Sequence, residues 1–200
     1  MNSYHKFSHN SFHNSRFTWA QSITPRSPMV DTICKKCGTH RRYPSGELDV
    51  SLEGGSSYPD VLGCGAFPFA ILSENAIQIF MDAGINSFHT FEVGIKSIES
   101  QTLEKKRPPR YFWVEIDGHC RVDVKASGAN SIKICKQCNY IETDPMVLQT
   151  YSLIPGSWDG SPLFRDDIIY PFVNFCTQEV VDLVKKKKLT NFRFRLMGNL

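Results

Sequence analysis

Seven cysteines are spread over 200 residues, and four of them form two C-x-x-C pairs, Cys34 with Cys37 and Cys135 with Cys138. Thiolates are soft ligands, and a two-residue spacer lets both sulfurs of a pair reach one tetrahedral ion at about 2.3 Å. One pair alone could be a redox motif. Two pairs predict a shared four-cysteine site for zinc, with two disulfides or free thiols as the alternatives. A metal held there is structural, because four thiolates leave no coordination position for a reacting water. Gly38 follows the first pair and Asn139 the second; both residue types accept the left-handed backbone of a metal knuckle.

Other chemistry is sparse. Cys64 stands in Gly63-Cys64-Gly65, where the glycines would expose a reactive thiol. A cysteine nucleophile needs a base, and His40, His89 and His119 stand in no recognisable arrangement around it, so Cys64 reads as a small loop residue. Cys120 and Cys176 alternate with apolar residues and read as core. Asp166-Asp167 reads as a loop. The chain contains no P-loop, G-x-G-x-x-G, G-x-S-x-G or H-E-x-x-H motif. It is therefore expected not to be an enzyme and to take no small-molecule substrate. The balance of 23 basic against 20 acidic residues, a net +3, is too weak to announce a nucleic-acid partner. No apolar run approaches the length of a membrane span. An odd cysteine count at this density, with no secretory signal at the N-terminus, points to the reducing cytoplasm.

These residues need elements to position them. Residues 1–28 read as a polar arm, and His5, His9 and His13 within it would share one helical face. A short polar tract seldom folds alone, however, so a loosely ordered or strand-like arm is expected, with Phe17 to Ala20 able to add an edge strand. Residues 29–200 read as a single α+β domain around a mixed sheet, with an internal duplication of about 34–98 and 135–200. The cysteine pairs recur 101 positions apart. Each is followed by a strand (Glu47 to Leu52, Met146 to Leu153) and a Gly/Ser loop bearing an aromatic and an aspartate (Tyr58 with Asp60, Trp158 with Asp159). The aromatic could anchor a partner or close the end of the core; retention in both copies favours the second. A Pro-Phe (Pro68-Phe69, Pro171-Phe172) then leads into a strand and a helix. The helices start near Ser73 and Thr177, with apolar triplets Ile77, Phe80, Met81 and Val180, Leu183, Val184 at i, i+3, i+4. Gly84 ends the first, and Lys185 to Lys188 crowd the end of the second, where they suit the helix dipole or form a solvated patch. A Phe-bearing strand follows each. Between the copies, Tyr111 to Ile116, Asp117-Gly118 and Cys120 to Val124 read as a central β-hairpin. Lys105-Lys106-Arg107 reads as a solvated loop.

The succession Cys34 to Gly38, Tyr58-Pro59-Asp60-Val61-Leu62, Ile71-Leu72-Ser73-Glu74, Cys135 to Cys138, Trp158 to Phe164 and Leu189-Thr190-Asn191-Phe192 resembles the double-CXXCG-motif family. The resemblance covers most of the chain after about Thr32, and Asn139 in place of a glycine departs from it. That family is associated with immunity proteins of bacterial polymorphic toxin systems, which protect a cell by binding the toxin of its siblings. The resemblance implies a cognate toxin protein as partner and assigns no toxin-contacting residue. The rival reading is a zinc-ribbon nucleic-acid-binding protein, which would need a basic stripe with interleaved aromatics.

Overall fold

The computed structural model of the chain describes residues 3–10, 16–23, 29–44, 48–65, 69–128, 133–138, 141–142, 150–166 and 173–200. Fifteen strands and two helices are formed among them. They are β1 (Ser3–His9), β2 (Trp19–Ser22), β3 (Met29–Ile33), β4 (His40–Pro44), β5 (Leu48–Glu53), β6 (Val61–Leu62), β7 (Ala70–Ser73), α1 (Glu74–Asp82) and β8 (Phe88–Ile98). There follow β9 (Tyr111–Ile116), β10 (Gly118–Cys120), β11 (Lys133–Ile134), β12 (Ile141–Glu142), β13 (Leu163–Asp166), β14 (Asn174–Thr177), α2 (Gln178–Lys186) and β15 (Phe192–Asn199). The fold is α+β with two mixed sheets, ordered β2-β5-β8-β9-β7-β6 and β10-β13-β14-β1-β15, plus two separate ribbons, β3-β4 and β11-β12. The sheets are mixed because β5 runs parallel to β8 and β10 parallel to β13.

Each helix springs directly from a strand. Ser73 caps α1, accepting from the Ala76 amide at 3.2 Å while donating to Asp60 Oδ1 at 3.0 Å. Thr177 holds the same place before α2 but makes no side-chain cap, and its buried hydroxyl has no hydrogen-bond partner. The buried face of α1 is Ala76, Ile77 and Phe80, and that of α2 is Val180, Val181 and Val184. The two faces match at a shift of 104 (180 − 76), not the 103 of the expected triplets. That one-residue difference turns a helix by about 100°. It carries Met81 off the buried face, leaving it 55% exposed, and puts Leu183 at the margin of the core. Both helices end with an amide bonded five residues back, Ile85 to Phe80 at 2.9 Å and Leu189 to Val184 at 3.0 Å. The residue before each closing amide is left-handed: Gly84 (φ 78°) after α1 and Lys188 (φ 55°) after α2. Glycine takes that conformation freely; lysine there is strained.

Three apolar clusters stabilise the whole. The central one holds the buried faces of both helices together with Phe7, Leu72, Phe88, Val114, Ile116, Leu163 and Cys176, so each sheet turns one face toward it. The outer face of the six-stranded sheet packs Leu48, Val50, Leu52, Ile71, Tyr111 and Trp113. That of the five-stranded sheet packs Tyr4, Val122, Phe164 and Phe175.

One expectation is corrected. Tyr111 to Val124 is not a hairpin. Both edges of β9 are already used, by β7 and β8, so β10 crosses to the other sheet and pairs with β13. Gly118 serves a close approach instead of a turn, since a Cβ there would run into Leu163 O and the Ser161 side chain. Within the expected arm, residues 3–9 form an interior strand, with β14 on one side and β15 on the other. Tyr4 and Phe7 point to opposite faces and enter two different clusters. Buried His5 bonds Gln178 Oε1 at 2.7 Å, so its imidazole is satisfied at the start of α2. His13 lies outside the described residues. β2 is an edge strand, as its residues suggest.

Candidate metal centre

The two C-x-x-C pairs sit at the turns of the two ribbons. Ile33 pairs with His40 in one and Ile134 with Ile141 in the other, so each turn spans six residues. In the first turn the Gly38 amide donates to Cys34 O at 2.8 Å and the Cys34 amide to Thr39 O at 3.1 Å. Gly38 itself is left-handed, at φ 70°. Asn139 lies outside the described residues.

The turns bring Cys34 Sγ to 3.7 Å from Cys135 Sγ, and Cys37 Sγ to 3.6 Å from Cys138 Sγ. All four sulfurs lie within 4.8 Å of one another. Sulfurs at the corners of a tetrahedron with arms of about 2.3 Å are about 3.8 Å apart, whereas a disulfide needs about 2.05 Å. The cluster therefore could bind a metal ion, and its closest pairs join one ribbon to the other.

Local hydrogen bonding favours thiolates. The Cys37 thiol is held down at about 6, first by the Thr39 side chain, 3.2 Å away, and then by the Thr39 main chain. The Cys135 thiol is lowered by the main-chain amides of Cys138 and Gln137. Four thiolates around a divalent ion leave a net charge of about −2; exposed Lys35, Lys36 and Lys136 in the same turns offset it. Thr39 is the partner the cysteine pattern did not single out, although it follows directly in Cys34 to Thr39.

The other candidates are structural. Cys64 is 2% exposed inside the outer cluster of the six-stranded sheet, where burial pushes its thiol up to about 12. The glycines beside it do not expose it, because the Ala20 amide bonds Gly63 O at 2.7 Å and the two chains lie flat together. Cys120 and Cys176 are buried, as their alternation implies. Asp166 is in a strand and not a loop; it is 1% exposed, and its carboxylate accepts the Val122 amide. Asp167 lies outside the described residues. Tyr58 Oη lies 3.0 Å from both Leu103 O and Lys106 O, and Trp158 Nε1 donates to Ser161 O at 2.9 Å. Burial works against ionisation of Asp159, but amides of Ser161 and His119 outweigh it and hold the carboxyl below its usual range. Lys105, Lys106 and Arg107 are exposed.

These placements make thiol chemistry predictable. In metal-stripped folded protein at neutral pH, iodoacetamide is expected to modify Cys34, Cys37, Cys135 and Cys138 and to spare Cys64, Cys120 and Cys176, as read by peptide mass spectrometry. Burial raises the Cys64 and Cys176 thiols above an unfolded value near 8.5. A raised acid favours the folded state below its unfolded value, so the urea midpoint should fall as pH rises from about 9 toward 12. Rapid labelling of Cys64 at neutral pH would contradict its burial.

No helix among the described residues is long and apolar enough to cross a membrane. Neither a known family model nor a curated protein matches this chain.

Proposed function

We propose that this chain is a cytoplasmic immunity protein that binds and neutralises a cognate toxin, built as an internal duplication and braced by one structural zinc at Cys34, Cys37, Cys135 and Cys138. The observation that carries the metal part of this reading is the meeting of the two C-x-x-C pairs at one four-sulfur cluster. With every coordination position filled by protein, the ion organises a surface and does no chemistry. The toxin as partner rests on the residues that resemble the double-CXXCG-motif family.

Several equivalent contacts support the duplication. The ribbon registers recur at 101 positions. Val61 pairs with Leu72 as Leu163 pairs with Cys176. Asn191 Nδ2 donates to Val61 O at 2.8 Å, while Ser87 Oγ donates to Leu163 O at 3.1 Å, so each half reaches across to the other in the same way. The place that β9 fills between β7 and β8 is filled between β14 and β15 by β1. The second half is completed from the opposite end of the chain.

Such a protein acts by stoichiometric occlusion. Co-expression with the toxin encoded beside it should restore growth of a sensitive host, and titration should saturate at about one chain per toxin. Turnover of a substrate by the pure chain would sink the reading, as would nucleic-acid binding with a steep salt dependence and no toxin bound.

A further inference from the structure

The end of α2 and the turn after it carry four lysines in a row, Lys185 to Lys188, all exposed. Without them the remaining 19 basic residues (23 − 4) fall one short of the 20 acidic ones, so the positive excess of the chain lies in this run. Among the described residues no carboxylate is paired with any of the four. Ending a helix does not require them. α1 closes with the same main-chain bond, and its last turn holds no basic residue. One or two lysines satisfy a helix dipole, whereas four adjacent ones also repel each other. Lys188 adds a second cost, because it holds the left-handed position (φ 55°) that Gly84 fills after α1. A strained residue where glycine would serve points to a role outside the fold. The run is also firmly held. The Lys187 amide bonds Leu183 O at 2.9 Å and the Lys188 amide bonds Lys185 O at 3.1 Å. Next come buried Leu189 and Thr190, whose amide and hydroxyl both donate to Asp60 Oδ2 at 2.8 Å. Consecutive residues of a helix point about 100° apart, so the lysines fan around the helix end instead of forming a stripe.

We infer that this lysine fan is the docking site for an acidic cleft of a protein partner, whose carboxylates close around the end of α2. A charged knob on a fixed turn matches a recessed cluster of opposite charge, and such complementarity speeds capture. A nucleic-acid backbone offers a line of phosphates, and exposed Glu179 and Asp182 on the preceding turns repel one that runs along the helix. A membrane surface asks for apolar side chains beside the cations, and the neighbouring Val184 and Leu189 are buried. The acidic cleft names the partner chemistry of the binding protein proposed above and rests on that reading.

The test uses the full, metal-loaded chain at low salt. The probe is a Glu-rich synthetic peptide, beside a Gln-for-Glu control, a single-stranded oligonucleotide and vesicles of anionic phospholipid. The Glu peptide should bind, weaken with salt, and couple under carbodiimide to Lys185–Lys188 ahead of the other lysines, as mapped by peptide mass spectrometry. Lys185→Gln, Lys186→Gln and Lys187→Gln combined should weaken binding about tenfold or more. The same change of all three cations in the exposed run Lys105-Lys106-Arg107 should leave it within about twofold. Lys188→Gly should bind more weakly yet unfold at a higher urea concentration, since glycine relieves the left-handed strain. A purely structural lysine would move only the second of those readings. All the replaced residues are exposed, so folding should survive, and circular dichroism checks that. Equal binding by the wild-type and triple-Gln chains, coupling spread evenly over all lysines, or binding of the oligonucleotide or vesicles but not the peptide would overturn the assignment. Growth rescue separates the two readings. No rescue by the wild-type chain defeats the immunity reading, while full rescue by the triple-Gln chain defeats only the lysine docking site.

Discussion

Removing the metal is expected to release the two ribbons from each other while the three apolar clusters stay folded. Among the described residues neither ribbon is hydrogen-bonded into a main sheet, and a two-stranded ribbon alone is marginal in water. Among the described side chains, β3-β4 and β11-β12 meet at the four cysteines, and zinc bound by four thiolates would contribute on the order of 10 kcal/mol to the segments it organises. Protein purified without chelator should hold about one zinc per chain by elemental analysis. A strong chelator, or Cys34→Ser, should raise amide exchange in residues 29–44 and 133–142 by at least a hundredfold and open them to proteolysis. Exchange in α1, α2, β9 and β14 should change little. Cys64→Ser should do the reverse, loosening the cluster around Leu48, Ile71 and Trp113 with the metal retained. Absence of zinc together with two oxidised cysteine pairs would end the metal reading.

Loss of the Asp60 carboxylate should be the most damaging single change outside the metal site and the cores. Asp60 Oδ1 accepts from Ser73 Oγ at 3.0 Å and Asn75 Nδ2 at 3.1 Å. Oδ2 accepts from both the amide and the hydroxyl of Thr190, each at 2.8 Å. The Asp60 amide in turn donates to Thr190 Oγ1 at 2.9 Å. One side chain thus joins the cap of α1 to the turn that follows α2, through a contact between residues 130 apart in the chain. Charge-assisted hydrogen bonds contribute about 1.5–3 kcal/mol each, but not additively. Asp60→Ala should therefore cost roughly 3–4 kcal/mol in urea unfolding, or about 10 °C in Tm for a chain of this size. Asp117→Ala removes only an exposed ion pair with His89 at 3.3 Å and should cost under about 1 kcal/mol. If Asp60→Ala costs no more than Asp117→Ala, water replaces the clasp and the two halves are joined mainly by the shared core.

Local signals were the ones legible in the chain. Ser73 was readable as a helix start because a cap acts within one turn, and Thr177 marks the second start by position without making the cap bond. Gly84 was readable as a stop for the same reason, and the core placement of Cys120 and Cys176 followed from strand alternation. The helix faces were read one residue out in part. Ile77 and Phe80 are buried and Met81 is not, because apolar character alone does not distinguish Ala76 from Met81 on a nine-residue helix. Flanking glycines permit exposure as readily as close packing, so Gly63-Cys64-Gly65 does not reveal in sequence that Cys64 is buried. The Asp-Gly at 117–118 carried a strong turn signal, and competition for the edges of β9 overrode it.

By itself the sequence determined the chemistry available: four cysteines in two C-x-x-C pairs and a helix start downstream of each pair, at Ser73 and Thr177. Tertiary structure alone decided which sulfurs are neighbours across the two ribbons, that Asp60 reaches Thr190, and that residues 3–9 complete the second sheet. The physical reason is range. Caps, spacers and periodicities are set within a few residues, whereas strand partners are chosen by which edges remain open and which faces remain uncovered once the rest of the chain has packed.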